Sequence, residues 1–139
     1  MARAALVLVL AVLPAGCGST TSPGEPVTDA VRAFLEACSV HDYPTATEAL
    51  TPADRSALIE AGSGLDGCRR ILRGLVPANA GDRAAQLIIA GAQPVAADIG
   101  GATATATVSS GSHSAKVELE YGRSSWWIAV PAGRRAALP

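Results

Sequence analysis

The chain has 139 residues, 49% hydrophobic and 17% charged, which describes one globular domain and excludes a disordered chain. A net charge of −1, with ten Arg and one Lys scattered along the sequence, gives no basic surface for nucleic acid. Aromatic residues are only 4% of the chain. The core must therefore be built from Ala, Val, Leu and Ile, and so small a core is marginal without covalent help.

Residues 1–16, MARAALVLVLAVLPAG, have the build of a secretory signal peptide. Arg3 supplies the positive start, Ala4 to Leu13 the uncharged apolar run, and Ala15 and Gly16 the small residues before Cys17. The run is shorter than the ~20 apolar residues a membrane-spanning helix requires. It lacks a polar face with which to pack as an amphipathic helix. GSTTSPGEP follows Cys17, and its Gly, Ser, Thr and Pro resist folding, so residues 17–25 read as a flexible tether.

Ala15-Gly16-Cys17 resembles the bacterial lipobox, with Pro14 standing three residues before the cysteine where that motif usually has Leu. The resemblance implies cleavage before Cys17 and attachment of a diacylglycerol to its sulfur. The partner so implied is the lipid bilayer, and the location the extracytoplasmic face of the cell membrane. The alternative is an ordinary secreted protein. Of the three cysteines, lipidation of Cys17 leaves Cys38 and Cys68 as an even pair in an oxidising compartment. A bond between them closes a loop of about 30 residues, worth ~3.5 kcal/mol in loop-closure entropy. The competing reading is two buried thiols acting as small hydrophobes.

Along the mature chain, Pro26 to Asp42 reads as an amphipathic helix. Val27, Ala30, Val31, Phe34, Leu35 and Cys38 form its apolar stripe, and Asp29, Arg32 and Glu36 lie opposite. Tyr43 to Leu50 predicts a short helix capped by Asp42, with Pro44 in its first turn. Thr51 and Pro52 open a third helix, with Asp54 a favourable charge in its first turn and Gly62 its stop. GLDGCRRILRGLV places Leu65, Cys68, Ile71, Leu72 and Leu75 on one face, with Arg69, Arg70 and Arg73 off it. PANAGD, residues 77–82, is a break, and RAAQLIIAGA is open between helix and strand.

The period then changes to two. QPVAADI, ATATATV, HSAKVELEYG and SSWWIAV read as four antiparallel strands with turns at Gly100-Gly101, SSGS and Gly122-Arg123. Val117, Leu119 and Tyr121 share one side, as do Trp126, Ile128 and Val130. Residues 132–139 read as a tail without pattern. Helices followed by strands mean an α+β domain over residues 26–131.

FLEAC at Phe34 to Cys38, Asp42, Ala46, Leu50, Pro52, Cys68, GGATATATV at Gly100 to Val108, and the terminal Trp126 to Ala129 carry a further resemblance. They are similar to small actinobacterial-type lipoproteins with a nuclear-transport-factor-two-like or SnoaL-like domain. The resemblance implies a cone in which N-terminal helices pack on a curved antiparallel sheet of about four strands. That fold serves enzymes, ligand binders and adaptors alike, so it names no function.

No residue is assigned to catalysis, and no cofactor is implied. The two histidines, His41 and His113, stand on separate elements without metal-ligand spacing, and no nucleophile elbow or phosphate loop is present. Acid–base chemistry in the cone, as in a small cofactor-free isomerase or hydrolase, would draw on His41, Asp42, Tyr43, Asp98 and Tyr121. Each also has a structural explanation: His41 and Asp42 end one helix and cap the next, and Asp98 adjoins a turn. Glu118 and Glu120 alternate away from the apolar side and read as solvated, as do Arg69, Arg70 and Arg73. Trp127 points opposite to Trp126, either as a rim residue packed on a helix or the tail, or as an anchor for a ligand or partner. The favoured expectation is a non-enzymatic module that binds a small apolar ligand or an envelope protein, with Trp127, Tyr121, His41 and Tyr43 as candidate contacts.

Overall fold

The computed structural model describes residues 23–60, 65–76 and 91–135. The signal segment, Cys17, most of the tether, the Gly62 stop, the 77–82 break, most of RAAQLIIAGA and the last four residues lie outside the described residues.

Among the described residues, four helices precede the sheet: α1 (Glu25–Ser39), α2 (Tyr43–Glu48), α3 (Pro52–Glu60) and α4 (Leu65–Leu75). The strands β1 (Gln93–Gly100), β2 (Thr103–Ser110), β3 (His113–Gly122) and β4 (Ser125–Ala129) form a curved, open antiparallel sheet in sequential order. This is the α+β architecture expected from the change of period. A one-turn helix α5 (Ala132–Arg135) stands where the sequence suggested a patternless tail. Its Arg134 donates to the carbonyl of Leu75 at 3.0 Å, satisfying a free acceptor in the last turn of α4.

α1 begins one residue earlier and ends three residues sooner than the Pro26 to Asp42 reading, because the chain leaves the helix at Val40 and His41 takes a left-handed φ of 62°. Val27, Val31, Phe34, Leu35 and Cys38 are buried, and the helix packs against β1, β2 and β4. Asp29 and Arg32 pair on its solvent face. Asp42 caps α2 as predicted, accepting from the Thr45 hydroxyl at 2.7 Å and its backbone N–H at 3.4 Å. α4 packs against β3 through a face that buries Cys68, Ile71, Leu72 and Leu75. Cys38 and Cys68 meet in this layer as a disulfide, with Cα atoms 6.0 Å apart.

The sheet obeys the period of two. On the inner face, Ala97–Ala106–Val117 and Ile99–Ala104–Leu119–Ile128 run as rows across the strands, while Thr103, Thr105 and Thr107 of β2 point outward. Gly101 and Gly111, with φ of 68° and 56°, each open a two-residue hairpin turn at the position where a left-handed residue is required. The third turn is Arg123-Ser124, one residue on from the expected Gly122-Arg123, and both residues are left-handed with side chains present.

The β4 edge is extended by the link between α2 and α3. Leu50 forms a parallel bridge with Ile128: Thr51 N–H donates to the Ile128 carbonyl and Ile128 N–H to the Ala49 carbonyl, both at 2.9 Å. Leu50 is fully buried beneath it.

Candidate functional site

The β3–β4 hairpin sets the geometry of the aromatic residues. Tyr121 is in register with Trp126, and Glu120 with Trp127. Tyr121 and Trp126 share the inner face, with ring centroids 5.2 Å apart and planes at 56°, a tilted arrangement favoured by the quadrupoles of aromatic rings. Trp126 is half-buried against the core. Tyr121 keeps the predicted side but is 50% exposed, because it lies past the last core row, Leu119–Ile128. The first turn of α1 faces this pair. Pro26, Asp29 and Ala30 on one side and Tyr121, Ser124, Ser125 and Trp126 on the other enclose an open groove of about 640 Å³.

Trp127 points to the outer face, as alternation requires, and is half-buried there. Its ring lies over Gly122, where an added Cβ would come within 3.2 Å of ring carbon Cζ3. The missing side chain is what lets the ring settle on the strand.

The other two candidates are elsewhere. His41 is exposed and Tyr43 half-buried, their rings 5.8 Å apart, at the C-terminal end of α1. The hairpin groove faces that helix's first turn. Fifteen helical residues at 1.5 Å each separate the two places by about 22 Å. The structure therefore brings Tyr121, Trp126 and Trp127 together on one hairpin and leaves His41 and Tyr43 out.

The residues considered for acid–base chemistry do not converge. Asp98 is a strand residue rather than a turn residue, in register with Thr105, which pairs in turn with Glu118. Asp98 and Glu118 are exposed on the outer face and Asp42 is a cap. Arg69 and Arg70 are half-buried rather than free on a solvated face, while Arg73 is exposed.

Among the described residues, the buried polar side chains are Thr51 and Asp54. Both serve the fold. The Thr51 hydroxyl donates to Asp54 Oδ2 at 2.7 Å and accepts from the Asp54 N–H, and the same carboxylate oxygen accepts from Val130 N–H at 2.9 Å. Phe34, Val117, Leu119 and Ile128 fill the space between α1 and the sheet. Among the described residues, no group of three or more His, Cys, Asp or Glu is placed to hold a metal ion, and no helix is long and apolar enough to cross a membrane. Comparison with family models, with curated protein sequences and with solved structures finds no match.

Proposed function

We propose that the protein is a lipid-anchored extracytoplasmic domain of the nuclear-transport-factor-two-like or SnoaL-like kind, acting as a non-enzymatic binding module. The anchor is a diacylglycerol on Cys17, and residues 18–24 lead from it to α1. Two or more acyl chains, each CH₂ contributing ~0.8 kcal/mol, hold such a domain stably at a bilayer. The pairing of Cys38 with Cys68 supports an oxidising compartment.

The observation that carries the binding role is the packed apolar interior. Among the described residues the buried polar side chains, Thr51 and Asp54, are occupied in capping and stitching, so a partner is met at the surface. The surface feature with binding character is the groove beside Tyr121 and Trp126, since aromatic side chains give large contact areas at low entropic cost. The ligand is an envelope component rather than a small molecule enclosed in the cone.

Replacement of the acylated residue tests the reading. Cys17→Ser is expected to move the protein from the membrane fraction to the soluble fraction with its thermal midpoint unchanged. Retention of Cys17→Ser in the membrane fraction overturns the anchor.

A further inference from the structure

The chain has five aromatic residues, and three of them, Tyr121, Trp126 and Trp127, flank one turn. That turn lies at one end of the sheet, together with the β1–β2 turn, where the Tyr121 N–H donates to the Ala102 carbonyl at 2.8 Å. Ile99, on the inner face just before the β1–β2 turn, is 41% exposed. α1 starts at the same end: Pro26 lines the groove with Trp126, and Gly24 lies against Ala97 of β1. This apolar rim is therefore the end by which the chain enters the domain. Cys17 precedes Glu25 by eight residues, a length that reaches at most about 28 Å at ~3.5 Å per residue.

We infer that the rim formed by Ile99, Tyr121, Trp126 and Trp127, with Arg123 at its tip, docks on the headgroup–acyl boundary of the bilayer that carries the anchor. The inference rests on the proposed acylation of Cys17. Tyr and Trp are the side chains favoured at membrane interfaces, where the ring is apolar and its polar atom stays wet. Arg123 can lay its stem on apolar surface and keep its guanidinium among phosphates. Its backbone supports this placement. A two-residue turn with both residues left-handed favours Asn-Gly, yet Arg123 and Ser124 hold φ of 49° and 66°. Such strain, of order 1 kcal/mol per residue, is most often found where a side chain is needed for function.

The short tether supplies the affinity. A rim that partitions weakly from solution is held at millimolar effective concentration once anchored. The charges define the lipid. Glu25, Asp29 and Glu120 flank the rim, Asp29 pairs with Arg32, and Arg123 is exposed, so this end has no excess of positive charge. Docking is by partition of aromatic and aliphatic groups and does not require anionic lipid. It would stand the strands upright on the membrane and hold the outer sheet face, with Thr105, Thr107 and Lys116, toward the compartment.

Both tryptophans of the protein lie on this hairpin, so their fluorescence reports the contact directly. The acylated full chain is reconstituted in phosphatidylcholine vesicles with bromine on the acyl carbons nearest the headgroup. Trp emission is expected to fall about twofold or more relative to unbrominated vesicles, with the same loss when anionic lipid is added. Ile99→Ser with Tyr121→Ser, at unchanged far-UV circular dichroism, is expected to abolish most of that loss. Absence of quenching in protein whose acylation is verified by mass overturns the docking and leaves the anchor standing. Quenching confined to anionic vesicles overturns it as stated, as does a Trp response seen in native envelope membranes but not in pure lipid, which would assign the rim to a protein partner. An unmodified Cys17 overturns both readings.

Discussion

Asp54, in the first turn of α3, accepts a hydrogen bond from the backbone N–H of Val130, 76 residues further along the chain, at 2.9 Å. Asp54 is fully buried, and the same oxygen accepts from Thr51. One carboxylate therefore closes the start of a helix and the end of the last strand. Asp54→Ala removes the acceptor and leaves a buried N–H unsatisfied, so it is expected to lower stability by about 2–4 kcal/mol in urea denaturation. Thr51→Ala is expected to cost about 1 kcal/mol. Because the two share one network, the double variant should cost less than the sum, a coupling that a double-mutant cycle measures directly.

The disulfide links the end of α1 to α4 beneath the sheet. Replacing Cys38 and Cys68 together by Ala is expected to cost about 3.5 kcal/mol, mostly through the freed loop of the unfolded chain. The matching chemical measurement is a thiol titration of the denatured, non-reduced mature protein. It should find no free thiol. Two would remove the bond from the account.

The Arg123-Ser124 turn is predicted to be a site of easy stabilisation. Arg123→Asn with Ser124→Gly suits the left-handed backbone and should raise stability by about 1–2 kcal/mol. The gain should appear mainly as a higher urea midpoint with the slope unchanged. A loss of stability would show that the Arg123 side chain contributes to the fold itself.

The regular parts of this fold are legible because each residue's environment follows from its neighbours in sequence. Ala104, Ala106 and Val108 alternate with threonines and are buried, and Val27, Val31, Phe34 and Cys38 recur at helical spacing and are buried too. Long-range pairings are not legible in that way. A carboxylate three residues after a threonine cap already has a local explanation, so nothing in the sequence directs Asp54 to Val130. Leu50 looks like the last residue of a short helix and serves instead as an extra rung beside Ile128. β1 shifts register between Pro94 and Ala96, which the sequence hints at only through its proline.

The candidate site was half visible for the same reason. Alternation places Tyr121 with Val117 and Leu119, Trp126 with Ile128, and Trp127 opposite Trp126, as observed, and the β3–β4 register then brings Tyr121 beside Trp126. It does not say that the core stops at Leu119, which leaves Tyr121 exposed, or that the first turn of α1 lies opposite. His41 and Tyr43 sit at the far end of α1 from the hairpin, and the length of that helix, which local pattern does not place against the sheet, separates them from Tyr121.

On the proposed reading, acylation of Cys17 decides where the domain is held and which end faces the bilayer. The intact mass of the mature protein from the membrane fraction measures this directly. The predicted result is a chain that begins at Cys17 and carries the added mass of a diacylglyceryl group. A free Cys17 thiol, or a chain cleaved at another residue, would contradict it.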